Sequence, residues 1–221
     1  MITVKADPYD FVFDPSTTAL IIIDMQRDFL EPDGFGEMLG NDVSQLRTAI
    51  APIQAVLDTF RQHKVTIIHT REGHRPDLSD LPVAKKVRGH LSCGIGDVGP
   101  MGRILIRGER GHDIIDELCP QTGEPIIDKP GKGSFYATDL QSILSNRGIK
   151  SLIVTGVTTE VCVHTTVREA NDRGFECLVL TDCVASYFPE FQTAALKMIA
   201  AQGGIFGWVA PSANLLKALQ S

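Results

Sequence analysis

The chain has 221 residues, 43% of them hydrophobic and 22% charged, enough for one sizeable domain with a well-buried core. Its formal net charge of −6, with Lys and Arg scattered along the chain, argues against a nucleic-acid or anionic-membrane surface. Cys93, Cys119, Cys162, Cys177 and Cys183 form no C-x-x-C pair, so reduced thiols are expected rather than a disulfide framework or a zinc site.

The opening MITVKADPYDFVF lacks the basic, apolar and small-residue succession of a signal peptide, and the longest apolar runs fall far short of a bilayer's thickness. A cytoplasmic location is the expectation. In chain order, β-branched runs of buried-strand length occupy 18–24 (TALIIID), 65–70 (VTIIHT), 125–129 (PIIDK), 151–156 (SLIVTG), 176–182 (ECLVLTD) and 205–210 (IFGWVA). They are continuous rather than alternating, as strands covered on both faces are.

Amphipathic helical stretches fall at 43–63, 138–147, 161–173, 190–202 and 212–219. TDLQ opens the second, with Thr138 placed to cap and Gln141 to reach back. RGIKSL and RGFECL read as glycine-terminated helix exits into the next strand. Strand and helix in alternation describe right-handed βαβ units, hence an α/β fold: a three-layer α/β/α sandwich in a single domain spanning 1–221. The segment 71–110, dense in Gly, Pro and charge, breaks that rhythm and is expected to be a folded excursion near the site or an oligomer contact, with a mobile surface loop as the alternative.

Ligands of parallel α/β sheets collect beyond the carboxyl ends of the strands. Asp24 ends the first strand, Lys129 ends the third, and Cys162 follows the fourth where a helix starts. Singly, these read as a turn residue, a solvated lysine and core packing. Together they make a chemistry, because a helix N-terminus and an adjacent cation favour a thiolate, and a nearby carboxylate can take and return a proton.

IIIDMQRDF (21–29), KPGKGSF (129–135) and GVTTEVCVHTTVREA (156–170) resemble, in order and spacing, the three signatures of the isochorismatase-like cysteine hydrolases. That resemblance implies a six-stranded parallel sheet and an Asp24–Lys129–Cys162 triad. It also implies a non-proline cis peptide before Thr158, which presents the N–H groups of Thr158 and Cys162 as an oxyanion hole. The family spacing to Phe135 selects Lys129 over Lys132, which is expected at the solvent or the pocket rim. The retained cysteine argues against vinyl-ether hydrolysis of isochorismate.

Nicotinamidases add a metal held by Asp-x-His and a further His. Here Glu72 and His74 fill the first two positions and Leu78 the third, a poor zinc or iron site, so neither a metal nor any other cofactor is expected. His69 and His74 are expected to lie in loops or behind the site, and His164 to be structural.

TREGHRPDLSDLP, GPMGRILIRGERGHDII and AAQGGIFGWV look like the biuret hydrolase and ureidoacrylate amidohydrolase branch. Its members imply a small ureido substrate, best biuret giving allophanate and ammonia, bound by Phe29 and Gln202. The plain alternative for Gln202 is a helix-terminal residue before Gly203 and Gly204. Arg71, Glu72 and Arg75 read as a solvated charge run, with contact to a distant part of the substrate as the alternative. Ureidoacrylate or N-carbamoyl amino acid hydrolysis comes next in order, ahead of nicotinamidase activity or a catalytically silent binding protein. The resemblance further implies a homo-oligomer, dimer or tetramer.

Overall fold

The computed structural model describes residues 1–86 and 93–220. Two short strands, β1 (Ile2–Val4) and β2 (Phe11–Phe13), pair antiparallel ahead of the main sheet. The sheet is built from β3 (Thr18–Ile23) and β4 (Thr66–Glu72), then β7 (Ile126–Lys129), β8 (Ser151–Val157), β9 (Glu176–Ala185) and β10 (Trp208–Ala210), while β5 (Val98–Gly99) and β6 (Gly102–Arg103) form a small hairpin between β4 and β7. Its order is β10-β9-β8-β3-β4-β7, all parallel, the six-stranded α/β sandwich expected. The chain winds outward from β3 through β4 to β7, then returns to the other side of β3 for β8, β9 and β10. The reversal lies between β3 and β8, where such sheets open a crevice.

The unbroken apolar text of β3 follows from having two covers. Leu20 and Ile22 join a core with Ile53, Val56, Leu57 and Phe60, whereas Ala19, Ile21 and Ile23 join one with Leu144, Val167 and Ile199. The helices that supply these layers follow in chain order. Short turns α1 (Arg27–Leu30), α2 (Phe35–Met38) and α3 (Ser44–Arg47) precede α4 (Ile50–Gln62), and α5 (Val83–Lys86) lies in the excursion. Then come α6 (Leu140–Asn146), α7 (His164–Asp172), α8 (Pro189–Gly204) and α9 (Ser212–Leu219). Among the described residues no helix is long and apolar enough to cross a membrane.

Several boundaries move. The helix expected over 43–63 is two pieces, α3 and α4. The last strand starts at Trp208 rather than 205, because the chain first turns at Gly207. Regular geometry in α8 stops at Ala201, with Gln202 and Gly203 both at positive φ. Only half of the capping box forms: Thr138 Oγ1 accepts from Leu140 N, but Gln141 bonds Ser145 instead of reaching back. The glycine exits hold, with Gly148 and Gly174 at φ +63° and +81°.

The excursion after β4 is folded against the crevice through its described residues; 87–92 lie outside them. Ile104 and Leu105 are buried beside Phe29, Phe35 and Met38, and Leu105 N donates to Asp28 Oδ2 at 3.0 Å. His74 and Ile106 form a bridge, and Arg107 donates to Asp80.

Candidate active site

The register of the central strands sets the site. Ile23 lies level with Thr70 on β4 and Gly156 on β8, and Glu72 lies level with Lys129 on β7. Asp24 follows at φ +51°, a left-handed conformation that Asp tolerates better than most residues. Its Oδ1 accepts from Thr70 Oγ1 at 2.7 Å, and its Oδ2 lies 2.7 Å from Lys129 Nζ, both side chains being fully buried. Lys129 also donates to the carbonyls of Gly131 and Lys132 at 3.0 and 2.9 Å. Burial pulls this ammonium toward losing its proton, but Asp24, Cys162 and Glu72 outweigh that and hold it above the ordinary lysine range.

Cys162 sits in a wide helical turn, Thr159–Val163, that precedes α7. Val161 N and Val163 N both donate to the Thr158 carbonyl. The Val157–Thr158 peptide is cis. Thr166 Oγ1 bonds the Cys162 carbonyl at 2.7 Å and Ser134 Oγ at 2.9 Å, while Phe135 N donates to Glu169 at 3.1 Å. These contacts fasten the KPGKGSF loop to α7.

Glu72 is the residue that sequence reasoning misplaced. Read as part of a solvated charge run, it is instead fully buried, with Oε2 3.5 Å from Cys162 Sγ. Strand β4 runs two residues further than its apolar text, carrying Glu72 to the same edge as Asp24. Lys132 Nζ lies 2.7 Å and Lys85 Nζ 3.4 Å from Glu72 Oε1, and Lys129 Nζ 4.0 Å from Oε2. Burial alone would push the Glu72 carboxyl up, yet Lys129, Lys132 and Lys85 together hold it down to about 2. Gln26, in the DMQRDF signature, clamps this strand end, donating to the Glu72 carbonyl and accepting from its N–H.

The thiol departs from the expected thiolate. Burial pushes its pKa well above the usual cysteine value, and Asp24 and Glu72 add to that against the opposing Lys129 and Lys132. The helix and cation argument accounted for one attraction and omitted desolvation and a second carboxylate.

Cys162 opens on a cavity of about 250 Å³ whose wall includes Phe29, Phe35, Thr158, Glu160, Tyr187 and Phe188, with Glu72 and Lys132 also lining it. Phe29, Thr158 and Cys162 are therefore brought together, and Lys132 stands at the rim, half-exposed. Gln202 is not brought there: it is exposed at the far end of α8, within the break in that helix, which fits the helix-terminal alternative. The helix leaves the crevice side of the sheet at Pro189 and carries residue 202 away from it.

His164 packs edge-on against Phe206. His69 lies within β4 and bonds Glu124, and His74 bonds Asp80. Arg71 pairs with Asp128 and Asp113 rather than with the cavity. The Glu72 and His74 pair does not suit a metal. The Lys85 ammonium already bridges them, 3.4 Å from Glu72 Oε1 and 3.2 Å from His74 Nε2, with the Pro130 carbonyl at 2.7 Å.

Comparison with known proteins agrees with this fold. A family profile described as the isochorismatase domain matches residues 18–212. A cysteine hydrolase from Pseudomonas syringae pv. phaseolicola 1448A is 27% identical over 95% of both chains, with a TM-score of 0.78. The fold is shared with an N-carbamoylsarcosine amidase from Thermoplasma acidophilum at 22% identity, covering 89% of this chain and 96% of that one with a TM-score of 0.68. A nicotinamidase from Staphylococcus aureus shares it at 19%, covering 88% and 98% with a TM-score of 0.64. With the profile covering nearly the whole sheet and the three signatures meeting at one crevice, the chain belongs to the isochorismatase family.

Proposed function

We propose that the protein is a cysteine amidohydrolase that cleaves a terminal carbamoyl C–N bond of a small ureido compound. The observation that carries this reading is the buried Cys162 thiol on a cavity wall, with the Asp24–Lys129 pair behind it. Two carboxylates stand near the sulfur, and charge weighs against one of them. Glu72, locked as an anion by three lysines, is a weak proton acceptor, and the family resemblance implies Asp24 as the base. Lys129 holds Asp24 in place.

The proton leaves Sγ for Asp24 as the sulfur attacks the carbamoyl carbon, so the thiolate need not exist beforehand. The C–S bond forms, and the oxyanion is received by the N–H groups of Thr158 and Cys162. The C–N bond then breaks, and Asp24 returns the proton to departing ammonia. Water, deprotonated by the same carboxylate, attacks the acyl carbon, the C–S bond breaks to free the acid, and Asp24 gives the proton back to the sulfur. None of these steps calls on a cofactor.

Among ureido compounds biuret stands first in our reading, on the resemblance of the excursion and of the text around Gly203 to biuret hydrolases. Ureidoacrylate and N-carbamoyl amino acids, which end in a carboxylate, are the alternatives. An ammonia-release panel of biuret, ureidoacrylate, N-carbamoylglycine and nicotinamide tests the reading. Cys162→Ser is expected to lower turnover of the accepted substrate by about three orders of magnitude or more. Unchanged turnover in that variant removes the nucleophile assignment, and nicotinamide as sole substrate removes the ureido one.

A further inference from the structure

The polar groups of the cavity wall are mostly engaged within the protein. Glu72 is held by lysines, Tyr187 donates its hydroxyl to the Phe29 carbonyl at 2.7 Å, and Asn41 donates to the Gly36 carbonyl at 3.1 Å. Glu160 is different. It lines the same cavity two residues before the nucleophile, and its Oε2 is shut away from solvent with no hydrogen-bond partner among the described residues.

A buried carboxylate oxygen without a donor carries a desolvation cost, which falls when a ligand supplies N–H groups. Lys132, the rim cation, is already committed to Glu72 at 2.7 Å. The wall thus offers a carboxylate oxygen without a partner, while the rim ammonium of Lys132 shares its charge with Glu72.

We infer that Glu160 is a specificity-determining residue that accepts the N–H groups at the far end of the substrate. It selects compounds ending in a second carbamoyl or an ammonium group and disfavours those ending in a carboxylate. The assignment rests on the amidohydrolase reading and narrows its substrate class. A site built around a buried acceptor discriminates strongly, because the wrong partner leaves that acceptor unpaired or sets two anions together.

Three probes with the same ureido head separate the cases: biuret, 2-aminoethylurea and N-carbamoylglycine. Ammonia release is measured with the parent and with Glu160→Gln, and binding of each probe to Cys162→Ser, with and without Glu160→Gln, is measured by calorimetry. The parent is expected to prefer biuret and 2-aminoethylurea over N-carbamoylglycine. Glu160→Gln is expected to cut kcat/KM for 2-aminoethylurea by about 10- to 100-fold and for biuret by less, while raising it for N-carbamoylglycine.

Equal change on all three probes, or a parent that prefers N-carbamoylglycine, overturns the assignment. The binding data keep the two readings apart. If no probe is hydrolysed but binding follows the expected order and responds to Glu160→Gln, the amidohydrolase reading falls and the Glu160 assignment stands. If hydrolysis proceeds without that order, the reverse holds, and neither binding nor hydrolysis removes both.

Discussion

At the scale of single residues, the site is governed by what burial does to charge. Cys162 is 4% exposed and its thiol is pushed up, first by burial and then by two carboxylates that its lysines do not fully offset. Iodoacetamide at pH 7.5 is therefore expected to label exposed Cys119 before Cys162, with Cys162 gaining as the pH rises. Mass-spectrometric labelling rates check this, and Cys162 reacting first at neutral pH contradicts it. Glu72 yields a second expectation. Its carboxyl falls from an ordinary 4.5 to about 2 on folding, so the stability it contributes is fully present above 4.5 and is lost as the pH falls from 4.5 toward 2. Glu72→Gln is expected to melt at a lower temperature at neutral pH and to show a shallower loss of stability across that acid window. The window does not vanish in the variant, because Glu124, held by Arg61 against its own burial, titrates there as well. Identical pH slopes in calorimetric melts of the two proteins count against the lysine cluster.

Elements explain why part of this site was legible and part was not. Asp24, Lys129 and Cys162 stand where apolar runs stop, so the ends of β3, β7 and β8 could be read from the text alone. Glu72 was hidden because β4 continues through Arg71 and Glu72 after its apolar residues end, and charged text does not announce burial. Its signal lay in topology, since the strand next to β3 has to deliver its last side chain to the same edge. Lys85 comes from α5, outside the βα rhythm, and only tertiary packing brings it to Glu72. Gly156 is a further element-level requirement. It has φ +108°, and a Cβ there would overlap the Ile23 backbone where β8 approaches β3. Gly156→Ala is expected to cost about 2 kcal/mol or more through positive φ and overlap together, and to reduce turnover in the fraction that folds. Parent-like urea melts and activity would show that the strands have room to part.

The molecule as a whole divides its work between a sheet that sets positions and an excursion that backs the cavity wall. Three of the wall residues, Phe29, Phe35 and Tyr187, come from α1, α2 and the turn after β9, and the excursion packs against the first two through Ile104 and Leu105. Leu105→Ala is expected to destabilise by about 2 to 5 kcal/mol, the usual range for emptying a buried leucine site, and to raise KM more than it lowers kcat. Steady-state kinetics at a temperature where the variant stays folded check this, and a pure kcat effect excludes a wall-supporting role.

The strand alignment described above also bears on how an assembled chain is verified. Successive side chains of a strand face opposite ways, so a slip of β7 by one residue against β4 would send Lys129 to the opposite face and put Asp128 in its place. Such a misaligned chain would keep most of its parallel hydrogen bonds and its circular dichroism while losing the cation beside Asp24. Specific activity in this protein is thus a gauge of pairing accuracy, sensitive to errors that spectroscopic measures of folding leave unseen.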